Sequence, residues 1–150
     1  MQQLLRHPNG VISTRVGWIG GEGDNPTEES PGGHAEAVEV VFDPERISYR
    51  DLLEYFFQVH RPDLDEHLVG SIYRSEIFCT SDEQRRVAEE AIRDVDASGH
   101  WPGRTVTRIS GADRFLPDGP ADQDHFLRYP DYPEGAKSPF PRRSVETATP

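Results

Sequence analysis

Gly33-His34-Ala35-Glu36-Ala37-Val38-Glu39-Val40-Val41-Phe42-Asp43-Pro44 joins a Gly-His turn to an apolar, β-branched run closed by Asp-Pro. The run predicts a strand over Ala35 to Phe42. Its alternation puts Ala35, Ala37, Glu39 and Val41 on one face and Glu36, Val38, Val40 and Phe42 on the other. Glu36 thus shares a face with three apolar residues, where a carboxylate is costly unless it has a partner or a task. The plainer alternative is a solvated strand residue like Glu39.

Upstream, Val11-Ile12-Ser13-Thr14-Arg15-Val16-Gly17-Trp18 alternates and stops at Gly20-Gly21, which predicts another strand. The Gly, Asn, Pro, Glu and Ser content from Glu22 to Gly32 predicts a loop between the two. Ahead of both, Gln3-Leu4-Leu5-Arg6-His7 has the form of the end of a helix. Downstream, Ser48-Tyr49-Arg50-Asp51 resembles a capping box, and Leu52, Leu53, Tyr55, Phe56 and Val59 follow at helical spacing. After Arg61-Pro62 an acidic loop runs to Gly70, and a short strand is expected over Ser75 to Cys79. Ser81 and Gln84 cap a long helix whose buried stripe is Val87, Ala88, Ala91, Ile92 and Val95, with Gly99 as its stop. Thr105 to Ile109 is the last expected strand, and Asp122 to Leu127 suggests a helical turn. The recurring prolines from Pro130 onward mark residues 130–150 as a Pro-rich tail after a domain over 1–129. Strands and helices mix without strict βα alternation, which predicts an α+β two-layer sandwich with helices on one side of the sheet.

The 150 residues suit one domain with a real core. A formal net charge of -11, with no basic cluster, disfavours nucleic acid and anionic membrane as partners. Apolar runs fall far short of the roughly 20 residues of a spanning helix, and the first residues lack the pattern of a secretory signal. A single cysteine, Cys79, cannot form an internal disulfide, so a cytoplasmic setting is expected. His60 and His67 with Asp63 and Asp65 match no metal-ligand spacing, so no metal is expected. Gly17, Gly20 and Gly21 do not form a dinucleotide fingerprint.

Three stretches, Gly17-Trp18-Ile19-Gly20-Gly21, Gly33-His34-Ala35-Glu36-Ala37-Val38 and Ile72-Tyr73-Arg74-Ser75, together resemble the peptide methionine sulfoxide reductase A (MsrA) family and occur in that family's order. The resemblance covers about Pro8 to Ile109, more weakly Asp122 to Leu127, and implies the family's ferredoxin-like sandwich. It implies thiol-dependent reduction of the S-epimer of methionine sulfoxide, free or in a peptide. No bound cofactor is needed, and thioredoxin or another thiol serves as external reductant. In that family a cysteine of lowered pKa attacks the sulfoxide sulfur while a glutamate of raised pKa protonates the departing oxygen. Glu36 matches the glutamate, and Tyr73 matches a hydrogen-bonding tyrosine that orients the oxygen. Trp18 stands where the family more often has tyrosine, able to donate one hydrogen bond and to wall a methyl pocket, or else simply to end a strand as a core aromatic. His34 belongs to the same substrate-binding set, whereas Arg74 and Ser75 read as structural.

The chain also departs from the family pattern. Measured back from Val11, the family's Gly-Cys-Phe-Trp-Gly motif falls a few residues before Met1, together with the start of the nucleophile helix and the first strand. The Gly-Asn-Asp segment ahead of the tyrosine motif appears as His67-Leu68-Val69-Gly70, so Leu68 replaces its aspartate unless Asp65 reaches the same place. Cys79, at a strand end before Ser81, has the setting of a buried, inert thiol. Two other readings therefore stand beside a reductase: a binding domain without chemistry, and an enzyme of another reaction that uses Glu36 and Tyr73 as an acid/base pair.

Overall fold

A computed structural model of the protein describes residues 1–124. The sequence organises into α1 (Gln2–Arg6), β1 (Val11–Ile19), β2 (Ala35–Phe42), α2 (Tyr49–Gln58), α3 (Glu66–Val69), a 3-10 turn (Ser71–Tyr73), β3 (Glu76–Cys79), α4 (Asp82–Ser98), β4 (Arg108–Gly111) and β5 (Leu116–Pro117). The architecture is α+β, as expected, with the strands divided between two sheets. In one, β1 is central and antiparallel to both neighbours, in the order β2-β1-β5. In the other, β3 and β4 pair in parallel, as strands joined through a helix do. Among the described residues no ladder joins the two sheets.

Local chemistry fixes the longer helices. The Ser48 hydroxyl accepts from the Asp51 amide at 3.0 Å and begins α2. Ser81 does the same for the Gln84 amide at 3.1 Å, while the Gln84 side chain accepts from the Thr80 amide at 2.9 Å. These contacts satisfy amides that a helix start leaves without partners. Gly99 ends α4 in the left-handed conformation, φ 63°, which glycine adopts without a Cβ penalty. Leu53 and Phe57 of α2, Ile77 and Cys79 of β3, and Ala88 and Ala91 of α4 form one buried cluster, with Val87, Ile92, Val95 and Ile109 packed against it. Arg50 links the two helices at the surface, reaching Asp94 at 2.6 Å and Glu54 at 3.0 Å.

Three expectations need correction. The last long-chain strand begins at Arg108, not Thr105, because 105–107 are held elsewhere. The Thr105 amide donates to Asp96 Oδ1 at 2.7 Å, the Val106 amide donates to the Pro62 carbonyl at 2.8 Å, and the Thr107 hydroxyl lies 2.7 Å from that of Ser75. The acidic loop before Gly70 contains α3, whose start is capped by the Asp65 carboxylate accepting from the His67 amide at 2.8 Å. The two-residue strand β5 carries no periodicity to read, and it pairs with β1 only through Gly17–Pro117 and Trp18–Leu116. Asp122 to Asp124 form a turn, while His125 to Leu127 and the tail at 130–150 lie outside the described residues.

Candidate active site

The β1 register decides which side chains meet. Directly opposed residues of antiparallel strands project to the same face, so the Leu116–Trp18–Glu36 row crosses three strands on one side of the sheet. Val16–Val38 and Thr14–Val40 continue that face. Helix α1 lies over it: Gln2 Nε2 donates to the Thr14 carbonyl and Arg6 Nη2 to the Thr14 hydroxyl, each at 3.1 Å. The charge of the Met1 amino group, at the N-terminal end of α1, is felt by the Glu36 carboxylate. Trp18 is buried under this arrangement, whereas Glu36 is exposed at the rim of the face rather than sealed beneath it.

Desolvation by its surroundings raises the pKa of Glu36 above the usual carboxylate value, and the negative charges of Glu28, Asp118 and Asp122 raise it further. The Met1 amino group opposes them. Tyr73, on the 3-10 turn that packs beside β2, is 54% exposed. Its phenol is pushed up by partial desolvation, then by Glu36 and Glu28. The structure thus brings Glu36, Trp18 and Tyr73 to one neighbourhood. An acid with a raised pKa, a phenol donor and an aromatic wall can together receive a polar oxygen next to an apolar group.

Two residues from the same motifs hold this geometry. Arg74 donates from Nη2 to the Gly33 carbonyl at 3.0 Å, from Nη1 to the Ser71 carbonyl at 2.9 Å and from Nε to Glu76 at 2.6 Å. It therefore fastens the turn before Glu36 to the turn that carries Tyr73. His34, expected at the substrate, is buried and uses both ring nitrogens on the loop ahead of β2. Nδ1 accepts from the Gly21 amide at 3.1 Å, which leaves Nε2–H to donate to the Gly23 carbonyl at 3.1 Å. Gly21 is required for this closure, because a Cβ there would lie 2.2 Å from the His34 backbone nitrogen and 2.6 Å from the Gly32 carbonyl oxygen. His34 therefore positions the entrance to β2.

The comparisons with known proteins agree with these motifs. The sequence model of the peptide methionine sulfoxide reductase family matches residues 1–147. The chain belongs to that family. It is 56% identical to "Peptide methionine sulfoxide reductase MsrA" of Nocardia farcinica over 133 residues, covering 87% of this chain and 78% of the relative. The protein of the same name from Mycolicibacterium vanbaalenii is 51% identical over 145 residues, covering 95% and 84%. Among solved structures, methionine sulfoxide reductase A of Corynebacterium diphtheriae superposes with a TM-score of 0.69 at 25% identity, covering 86% of this chain and 69% of that one. Reduced Mxr1 of Saccharomyces cerevisiae shares the fold, with a TM-score of 0.78 at 19% identity and coverage of 94% and 85%.

Against this family background, the position of Cys79 is decisive for the chemistry. It is buried in the cluster under α2 and α4, with the Tyr49 hydroxyl 3.9 Å from its sulfur. Burial raises its pKa, so the thiol resists forming the thiolate that nucleophilic attack requires. Leu68 is exposed, and Asp65 is occupied by the cap of α3. The carboxylates that do act on Glu36, namely Glu28, Asp118 and Asp122, were missed from sequence. Glu28 lies in the 22–32 loop and the other two lie around the turn after β5, where no periodicity marks a face.

Proposed function

We propose that this protein supports the thiol-dependent reduction of the S-epimer of methionine sulfoxide, with Glu36 as proton donor, Tyr73 as hydrogen-bond donor to the sulfoxide oxygen and Trp18 as the apolar wall. The observation that carries this reading is the pairing of Glu36 with the buried Trp18 on one face of the sheet, with the Tyr73 turn packed beside β2 and the Glu36 pKa raised. A thiolate attacks the sulfoxide sulfur while Glu36 protonates the oxygen, and methionine leaves with the oxygen transferred to the attacking sulfur as a sulfenic acid. Two further thiol equivalents, as from a thioredoxin-type dithiol, return the sulfenic acid to a thiol and release water. No prosthetic group enters the electron balance. The nucleophile is a thiolate. Cys79 does not supply it, and Cys79→Ser leaves sulfoxide binding unchanged.

The test uses N-acetyl-L-methionine sulfoxide as separate S and R epimers. Protein purified from its native host, with its intact mass determined, is assayed with dithiothreitol. Consumption of the S-epimer alone, lowered at least about 100-fold in Glu36→Gln, supports the reading. A mass above 16.9 kDa would identify an in-frame source of the thiolate. Binding of the S-epimer at Glu36 and Trp18 without turnover favours the binding-domain alternative. Turnover without any thiol favours acid/base chemistry of another kind. Failure to bind either epimer defeats the proposal.

A further inference from the structure

The short strand β5 does more than extend the sheet. Leu116 opposes Trp18, Pro117 opposes Gly17, and the Asp118 amide donates to the Val16 carbonyl at 3.0 Å, so the antiparallel ladder runs one residue past the strand. By that register Asp118 lies opposite Val16 and projects to the face that carries Trp18 and Glu36. Its backbone is clamped. Gln123 accepts from the Val16 amide at 2.9 Å through Oε1 and donates through Nε2 to the Val16 carbonyl at 2.8 Å and the Asp118 carbonyl at 3.1 Å. Gln2 of α1 donates to the same Gln123 oxygen at 3.3 Å, which ties the clamp to the helix covering the face.

We infer that Asp118 is a positioning residue of this site, accepting the indole N–H of Trp18 and fixing the ring as the wall against which the substrate's methyl group rests. It rests on the reductase reading for what the ring does, while the placement of Asp118 on the face of Trp18 rests on the ladder and the clamp. Desolvation, with the charge of Asp122, raises the Asp118 pKa, and an indole donor from Trp18 on the same face opposes that rise. This contact gives a role to an aromatic that stands where tyrosine is more usual, since an indole has one donor and no acceptor. It also places a negative charge where it disfavours ionisation of Glu36. The groups acting on Glu36 are Glu28 of the loop, Asp118 and Asp122 of the turn after β5, and the Met1 amino group at α1; Tyr73 responds to Glu36 in turn.

The test is an NMR titration of the full chain, following the Trp18 indole N–H, assigned with Trp101→Phe, and the Glu36 side-chain carboxyl, assigned with Glu36→Gln. The Trp18 signal should move with pH as Asp118 takes up its proton, and this titration should vanish in Asp118→Asn. The same variant should lower the Glu36 midpoint and weaken binding of N-acetyl-L-methionine (S)-sulfoxide severalfold. A merely structural residue would not move the Glu36 midpoint. Should Asp118→Asn fail to fold, the wild-type indole titration and its behaviour in Asp118→Glu decide the same question. A Trp18 signal indifferent to pH, or a Glu36 midpoint unchanged in a folded Asp118→Asn, overturns the inference. Absence of sulfoxide binding by the wild type would instead defeat the reductase reading, while the indole titration would still decide the contact.

Discussion

The half of the molecule built from α2, α4, β3 and β4 and the half built from α1, β1, β2 and β5 treat their polar groups in opposite ways. In the first, the buried His60 and Ser75 are matched with neutral partners. His60 donates from Nδ1 to the Phe56 carbonyl at 2.6 Å, and its Nε2 accepts from the Ser75 hydroxyl at 2.7 Å, whose oxygen meets the Thr107 hydroxyl at 2.7 Å. In the second, desolvation and three carboxylates, Glu28 of the 22–32 loop and Asp118 and Asp122 around the turn after β5, raise the pKa of Glu36. One half pairs its buried polar groups, and the other gathers like charges around Glu36. Such a division is what a functional face on a packed scaffold requires.

Substitutions should separate the two halves in proportion. Phe57, 2% exposed at the centre of the apolar cluster, should show the largest effect. Phe57→Ala is expected to cost about 3–5 kcal/mol in urea unfolding, through lost burial and the cavity left behind. A loss below about 1 kcal/mol would mean that the cluster does not anchor the fold.

The next effect is pH-dependent. Burial lowers the pKa of His60 to about 4 from 6.5, against the opposing contributions of the Phe56 carbonyl and Asp63. Between those values the unfolded chain binds the proton and the folded chain does not. Stability should therefore fall as the pH drops from about 6.5 to about 4, by up to about 3 kcal/mol. Chemical unfolding across that range should show this slope in the wild type and lose it in His60→Gln.

The smallest effect should have the opposite sign. Glu36 has a raised folded pKa, so the stabilisation linked to its bound proton is present below the ordinary carboxylate range and disappears as the pH rises through the folded pKa. Glu36→Gln should consequently raise Tm at pH 7 while giving no such gain near pH 3. Equal Tm differences at both values would remove the contrast between the two halves.

Much of this was legible in the sequence because it depends on local chemistry. Ser48 and Ser81 cap their helices by contacts within three residues, and the Ala35 to Phe42 alternation shows which side chains share a face with Glu36. The three motifs around Trp18, Glu36 and Tyr73 gave the family. What escaped was set by partners distant in sequence. The start of β4 depends on contacts of 105–107 with Asp96, Pro62 and Ser75, and no pattern within the segment records them. Asp118 reaches the site through a two-residue strand and a Gln123 clamp more than a hundred residues from Val16 in sequence terms. Glu36 was expected on an apolar face, and it does share that face, but it stands at the rim, where neighbouring charge adds to desolvation.

The most direct measurement is the titration of the Glu36 carboxyl carbon by NMR in the folded protein, with Glu36→Gln to assign the resonance. A midpoint clearly above the ordinary glutamate value, falling when Asp118 is neutralised, is the result expected of a proton donor held in readiness by its surroundings. A midpoint at or below that value would contradict it, leaving Glu36 a solvated strand residue like Glu39.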